Sequence, residues 1–144
     1  MTDNPHGELG GVPHGFARHF RQSPVTDPWE PLYSMKRGEA VVIGLRSGKP
    51  HANARGFVHG GVITALADNA MGLSCAAKLS GKASLITVSL GIDFVGTAHQ
   101  SQWIEFGSEL LKVGTTLCFA QCRVTADGVL CARASATFRV VARE

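Results

Sequence analysis

The residues best suited to chemistry lie in one stretch between Asn53 and Gly72. Within it, His59-Gly60-Gly61 comes directly before a long alanine-rich segment that is typical of a helix. The first backbone amides of a helix have no intrahelical acceptor and carry partial positive charge. Because glycine has no Cβ, a ligand can approach these amides closely. The sequence therefore indicates a site that could stabilise a carbonyl oxygen gaining negative charge, with a simple Gly-Gly turn and a surface histidine as the alternative.

Asp68 is the second candidate, and it lies inside the same segment among small and apolar residues. Aspartate is a poor helix former in helix interiors, so its presence there needs a reason. Burial disfavours the charged form of a carboxylate and makes it a better proton acceptor, which suits a general base. The alternative is that the side chain points to solvent and is inert.

The spacing of these candidates limits how they could cooperate. Asp68 follows Gly60 by eight residues, which is roughly 12 Å along a helix axis. A base must come within about 3 Å of the reacting atom or of one bridging water. Both groups can therefore serve one carbonyl only if they come from two chains whose helices lie side by side and antiparallel.

The surrounding pattern predicts an α+β fold in which one long helix is wrapped by a curved antiparallel sheet of five to six strands. The helix begins at Gly60, runs for about twenty residues and is bounded by Gly81. Asp127-Gly128 is a strong hairpin signal between the last two strands. The predicted strands span residues 39–46, 84–93, 103–113, 116–125 and 129–141.

The N-terminal part of the chain has a different sequence pattern from the rest. We expect residues 1–30 to form a tail with a short helix at residues 14–22, in which residues 1–12 are mobile. One domain is expected to occupy residues 31–144.

The far edge of the predicted sheet is long and apolar, which would favour aggregation unless a second chain pairs with it. A homodimer with a continuous sheet is therefore the expected assembly.

Composition excludes several classes of protein. The chain has 144 residues, 44% hydrophobic and 17% charged, with a net charge of +3, which is unlike a disordered chain. No apolar run approaches the roughly 20 residues of a membrane span, and no basic stripe indicates nucleic-acid binding. The N-terminus has no signal-peptide pattern, so a cytoplasmic location is expected.

The remaining cysteines and histidines indicate no metal site or cofactor. The cysteines have no C-x-x-C pairing and are expected to be buried free thiols; they are Cys75, Cys118, Cys122 and Cys131. The other histidines lack an H-E-x-x-H pattern and are expected at the surface; they are His6, His14, His19, His51 and His99. No serine lies in a G-x-S-x-G context, so a serine hydrolase is not indicated.

The spacing Asn-x5-His-Gly-Gly-x6-Asp-x3-Gly, on the only long helix of a chain with this order of elements, resembles the hotdog-fold acyl-CoA thioesterases. The branch with the phenylacetate-pathway and 4-hydroxybenzoyl-CoA types is the most similar, and the resemblance covers roughly residues 32–142. It implies active sites at a dimer interface, with dimers that often pair into tetramers.

The resemblance also implies roles for individual residues. Asp68 would act as general base or nucleophile, and the amide of Gly60, with Asn53 nearby, would polarise the thioester carbonyl from the partner chain. His59 would hold the loop or assist the departing thiolate, and Thr87 would orient the attacking water.

Four further residues are expected to contact the substrate. Gly61 belongs to the helix start, Val88 and Ser89 would lie beside the pantetheine path, and Phe94 would line the acyl pocket. Two positions depart from the family pattern, since Ser89 stands where many relatives carry an acid and Thr87 replaces a serine seen in some. Neither change removes the carboxylate of Asp68.

The sequence therefore predicts hydrolysis of an acyl- or aryl-CoA thioester to the free acid and CoA. A thiolate leaves without strong acid assistance, so one carboxylate and an oxyanion site suffice, and CoA enters as part of the substrate. The alternatives are a non-catalytic acyl-CoA-binding module or a hotdog dehydratase. The acyl group, and a carrier-protein thioester in place of CoA, stay open.

Overall fold

Seven strands and one α-helix form the fold in the computed structural model, which describes residues 11–79, 81 and 83–142. The helix α1 spans Gly60–Ala76 and lies between the third and fourth strands. Two short 3-10 helices lie at Asp27–Trp29 and Lys49–His51. The strands are β1 (Ala17–Arg18), β2 (Tyr33–Arg37), β3 (Ala40–Arg46), β4 (Ala83–Phe94), β5 (Trp103–Val113), β6 (Leu117–Ala126) and β7 (Val129–Ala142).

The strands form a single antiparallel sheet in the order β1-β2-β3-β5-β6-β7-β4. The sheet wraps α1, whose apolar side chains pack against β3 and β5–β7 in the main core. The predicted α+β class, with one long helix on a curved antiparallel sheet, is confirmed.

The predicted strand count of five to six is too low, because seven are present in the described residues. The two extra strands are β1, which has only two residues, and β2, which ends in the exposed residues Lys36 and Arg37. Neither shows a clear apolar alternation. β2 forms a hairpin with β3 through the turn between Arg37 and Ala40, and β1 then pairs with β2, Ala17 with Ser34 and Arg18 with Tyr33.

The predicted short helix at residues 14–22 is wrong. Gly15 has a φ of 95°, which interrupts a right-handed helix, and Ala17–Arg18 pairs with Tyr33 and Ser34 as β1. Phe16 packs edge-on against Trp103, with ring centroids 5.1 Å apart. Tertiary packing therefore determines the conformation of this segment, despite its local helical pattern.

The predicted mobile tail falls mostly on residues 1–10, which lie outside the described residues. Val12 is buried in a small cluster with Phe16, Val42 and Trp103 on the sheet face opposite α1. Gly44 makes this cluster possible, because a Cβ at that position would overlap the Trp103 ring. The domain boundary at residue 30 stays a prediction.

Burial of α1 follows the prediction, and of its residues only Gly61 is exposed. The helix ends at Ala76 rather than near Gly81, and a turn follows it. Ser74 satisfies its hydroxyl inside the core, where it accepts from the amide of Val41 at 2.9 Å and donates to the carbonyl of Ala70 at 2.7 Å. In the described ranges no helix is long and apolar enough to cross a membrane.

The hairpin and cysteine predictions are confirmed. Asp127 and Gly128 both have positive φ, 46° and 83°, and connect β6 to β7.

All four cysteines are free and buried. Burial raises the pKa of Cys75 and of Cys122 to about 12, so these thiols are protonated at neutral pH and poor nucleophiles.

Strand β4 lies at the end of the sheet and pairs only with β7 among the described strands. A β-bulge interrupts its register between Thr87 and Ser89. The strand is also unusually apolar for an exposed element, since Ile86 and Val88 are each 53% exposed and Phe94 is 51% exposed. A free edge with these side chains is the kind of surface that soluble proteins cover.

Candidate active site

The carboxylate of Asp68 and the hydroxyl of Thr87 meet between α1 and β4. Thr87 Oγ1 donates to Asp68 Oδ1 at 2.8 Å, and Asp68 itself is half-buried. The two residues are 19 positions apart and come from different elements. Because Thr87 holds one carboxylate oxygen, Oδ2 remains for a water or a substrate group.

A cavity of about 250 Å³ opens beside this pair. Leu73, Leu85 and Phe138 supply apolar parts of its wall, and His19, Arg21 and Ser23 supply a polar part. For comparison, a cavity of roughly 150 Å³ is known to bind benzene. The space beside Asp68 is therefore large enough for a short or ring-sized group.

The start of α1 is the second half of the candidate site. His59 caps the helix, and its Nδ1 accepts from the Gly61 amide at 2.7 Å. The Gly60 amide has no hydrogen-bond partner among the described residues, whereas the Gly60 carbonyl accepts from Thr64 Oγ1 at 2.7 Å. The cap therefore uses the Gly61 donor and leaves the Gly60 donor available.

Asn53 organises the loop that leads to the helix. Its Oδ1 accepts from the amides of Arg55 and Phe57, at 2.9 and 3.1 Å. The side-chain oxygen of Asn53 is thus used to hold the loop, and its Nδ2 is the group left to donate to a ligand.

The substrate-contact residues predicted from sequence lie in different places. A Cβ at Gly60 would meet Phe94 Cζ at 3.1 Å, so Phe94 packs beside the helix start and is absent from the lining of the cavity beside Asp68. Val88 and Ser89 are exposed on the free edge strand. Within one chain, the predicted residues therefore form two groups, one around Asp68 and one around Gly60.

The prediction that the remaining histidines lie at the surface is wrong for His19 and His51, which are both buried. His51 bridges the 3-10 helices, with Nδ1 accepting from the Gly48 amide and Nε2 bonding to the Trp29 carbonyl, each at 3.0 Å. His19 reaches the Asp68 cavity through the β1–β2 pairing. No local signal marks either histidine as buried.

The arrangement provides a carboxylate with a hydroxyl partner and, separately, an uncommitted amide at a helix start. These are the parts needed to activate water and to stabilise an oxyanion. In the described ranges, no cluster of three or more histidine, cysteine, aspartate or glutamate side chains is arranged to hold a metal ion.

A comparison with protein-family models matches residues 55–132 to the Thioesterase superfamily. The match includes Gly60, Asp68 and Thr87. The chain belongs to the thioesterase superfamily. The family resemblance seen in the sequence is thereby confirmed, and the protein is a thioester hydrolase.

Three individual proteins are similar to this member of the superfamily. A Pseudomonas aeruginosa protein named "Putative esterase PA0474" is 33% identical over 130 residues, which cover 90% of this chain and 97% of that protein. A Streptococcus pneumoniae hypothetical thioesterase, solved with coenzyme A, shares the fold with a TM-score of 0.72 and 21% identity, covering 81% of this chain and 93% of the other. A Bacillus halodurans protein solved with CoA has a TM-score of 0.66 and 25% identity, covering 69% and 66%.

Proposed function

We propose that this thioesterase hydrolyses acyl-CoA thioesters at composite sites across a homodimer. The observation that carries the proposal is the Asp68–Thr87 hydrogen bond, which is separated along α1 from the uncommitted Gly60 amide. Eight residues of helix correspond to roughly 12 Å, too far for both groups to act on one carbonyl from the same chain.

The free edge of β4 supports a dimer of the required geometry. Thr87 lies on this strand, and so do the exposed apolar side chains of Ile86, Val88 and Leu90. Pairing of β4 with β4 of a second copy would cover these side chains and satisfy the backbone groups of the edge. A two-fold axis through such a pair would place the two α1 helices antiparallel and side by side, so that Asp68 of each faces the helix start of the other.

CoA as the thiol component is supported by two observations. The Streptococcus pneumoniae and Bacillus halodurans structures were both solved with CoA. The net charge of +3 also favours an anionic substrate such as a phosphorylated thioester.

Asp68 acts in this proposal as a general base. A water that donates one hydrogen to Asp68 Oδ2 and another to Thr87 Oγ1 is held by both groups. As its oxygen attacks the thioester carbon, Asp68 takes the proton and the carbonyl oxygen gains charge beside the Gly60 amide of the second copy. Collapse of the tetrahedral intermediate breaks the carbon–sulfur bond. The departing thiolate of CoA takes the proton from Asp68, which leaves the carboxylic acid, CoA and the regenerated Asp68 carboxylate.

The first test is thiol release from acyl-CoA thioesters of increasing size, from acetyl through long-chain and aromatic acyl groups. We expect turnover of short and ring-sized acyl groups, because the cavity beside Asp68 is large enough to hold them. Binding of acyl-CoA without thiol release would indicate the non-catalytic alternative. Turnover confined to acyl-carrier-protein thioesters would contradict the assignment of CoA.

The composite site is tested by mixing two inactive variants. Asp68→Asn removes the base, and Gly60→Pro removes the amide hydrogen at a helix position where proline is tolerated. If each site uses Asp68 of one chain and Gly60 of the other, a purified heterodimer of the two variants has one site with both defects and one intact site. It should recover roughly half of the wild-type rate.

If instead both groups served the same site from one chain, every site in the heterodimer would carry a defect. The mixture would then stay inactive. Sedimentation of the same samples shows whether dimers form and whether two dimers associate further.

A further inference from the structure

The segment that leads into α1 is a short hairpin with His51 at one end and His59 at the other. The His59 amide donates to the His51 carbonyl at 2.8 Å. One step further into the hairpin, Ala52 and Val58 form an antiparallel bridge. Gly60 follows His59 directly, so the place of the Gly60 amide depends on how the base of this hairpin is held.

The side chain of His51 anchors the base of the hairpin. It is 5% exposed, and both of its ring nitrogens have partners. Nδ1 accepts from the Gly48 amide, and Nε2 bonds to the Trp29 carbonyl, each at 3.0 Å. Since an amide can only donate and a carbonyl can only accept, the two partners fix the neutral ring with its proton on Nε2. The Nε2–H group therefore donates to the Trp29 carbonyl.

The two bonds of this ring differ in reach. The bond to Gly48 spans three residues and stays inside one 3-10 turn, whereas the bond to Trp29 spans 22 residues. The far end of the longer bond is itself fixed, because Trp29 packs against the main core and its amide donates to the Thr26 carbonyl at 2.8 Å. The Trp29 bond thus ties the hairpin to a fixed part of the N-terminal segment.

The second strand of the hairpin has an anchor of its own. The Val58 amide donates to the Ala98 carbonyl at 2.9 Å. Loss of the His51–Trp29 bond should therefore shift the base of the hairpin without unfolding it.

A small shift at this point matters for the chemistry. An oxyanion donor is effective when it lies about 2.7–3.1 Å from the atom on which charge develops. Displacement of a group in an active site by about 1 Å can lower the rate roughly 100-fold. The base of the hairpin is one residue from Gly60, so its displacement moves the Gly60 amide.

We propose that His51 is a positioning residue, which holds the Gly60 amide in place through its bond to the Trp29 carbonyl. This inference rests on the proposed function, because it takes the Gly60 amide as the oxyanion donor. His51 has no free ring nitrogen for the substrate, so it acts through Gly60. Its loss should lower kcat more than it changes KM, because the bond from an oxyanion donor strengthens in the transition state.

Two substitutions separate the two bonds of His51. Asparagine can place an oxygen near the position of Nδ1 but is too short to reach Trp29, whereas glutamine can place a donor near the position of Nε2. We expect His51→Asn to lower kcat for a short-chain acyl-CoA by about tenfold or more, with little change in KM. His51→Gln should keep most of the wild-type kcat.

Ser74→Ala is the matched control for a purely structural effect. It removes a buried hydroxyl that bonds to the Val41 amide and the Ala70 carbonyl and that is absent from the lining of the Asp68 cavity. Ser74 also lies roughly 21 Å along the helix axis from Gly60. This variant should be less stable to heat than the wild type but keep its kcat and KM. Thermal unfolding of each variant shows whether kcat is measured on folded protein.

The outcomes decide the role of His51. Wild-type kcat in His51→Asn, or equal losses of kcat in His51→Asn and His51→Gln, would overturn it. A loss of kcat in Ser74→Ala as large as in His51→Asn would overturn it too, because the effect would then follow stability alone. If His51→Asn does not fold, His51→Gln decides: a kcat near that of the wild type supports the role of the Trp29 bond, and a loss of about tenfold overturns it.

These results are distinguishable from failure of the proposed function. In each of them the wild type hydrolyses acyl-CoA thioesters, so the proposed function stands whether or not the role of His51 does. If the wild type hydrolyses none, the proposed function fails and the inference fails with it.

Discussion

Thr87 donates a hydrogen bond to Asp68 across the gap between the edge strand β4 and the middle of α1. This bond joins the candidate base to the one long strand of the described sheet that pairs on one side only. The position of the carboxylate therefore depends on how β4 is held, and a dimer formed through β4 would control it directly.

Asp68→Asn should lower kcat at least about 100-fold with little change in substrate binding, because the amide cannot accept the proton of the attacking water. The change keeps the size of the side chain and its hydrogen bond from Thr87. Steady-state kinetics with a short-chain acyl-CoA, together with isothermal titration of the substrate, give both quantities. Asp27→Asn, at an exposed aspartate that does not line the cavity, is the control and should keep wild-type kinetics. Wild-type turnover by Asp68→Asn would contradict the role of this carboxylate.

Thr87→Val should lower kcat by roughly 10- to 100-fold, because a hydrogen bond to a charged group is lost while the volume of the side chain is kept. Thr87→Ser retains the hydroxyl and should keep most of the activity. The informative measurement is kcat for both variants beside their thermal stability. Equal kcat values for the valine and serine variants would show that the hydroxyl has no part in the reaction.

Glutamate at both Ile86 and Leu90 should convert the proposed dimer into a monomer and abolish turnover, because in the proposed pairing two charges of each chain would be buried at the β4 edge. These residues are 53% and 36% exposed in the single chain. Val129→Glu is the matched control, since Val129 is also apolar and is 71% exposed but lies at the β6–β7 hairpin. Sedimentation velocity at micromolar concentration measures the oligomeric state of each variant. A double variant that stays dimeric would place the interface elsewhere.

Burial of His19 should make the protein less stable as the pH falls below about 6.5, the ordinary pKa of histidine. In that range the unfolded chain takes up a proton that the folded chain does not, because the pKa of His19 is lowered in the fold. The free energy of unfolding then decreases from pH 7 downward. Above pH 7 this contribution is absent, since His19 is neutral in both states. Glu30 and Arg21 face the imidazole with opposite effects, and Asp68 lines the same cavity.

Urea denaturation at pH 7.5 and pH 5.5, at one fixed protein concentration, measures this dependence. His19→Gln should reduce the difference between the two pH values, and His14→Gln should not. An unchanged difference in His19→Gln would show that another group controls acid stability.

The strands from β3 onward follow from the sequence nearly to the residue, because alternating apolar patterns and the Asp127-Gly128 turn are local signals. The start of α1 follows for the same reason, since glycine and a capping histidine mark it. The segment before β2 could not be predicted in this way. Its helical pattern is overridden by pairing with β2 and by the contact of Phe16 with Trp103.

The sequence by itself identified Asp68 and Gly60 as candidates, and the family resemblance added Thr87. Helix rise alone predicted that Asp68 and Gly60 cannot meet within one chain. Only the tertiary structure brought Thr87 to 2.8 Å from Asp68 and carried His19 into the same cavity. The physical reason is the range of the interactions. Helix starts, turns and apolar alternation act over a few residues, whereas the wall of a cavity is formed by strands paired across the whole chain.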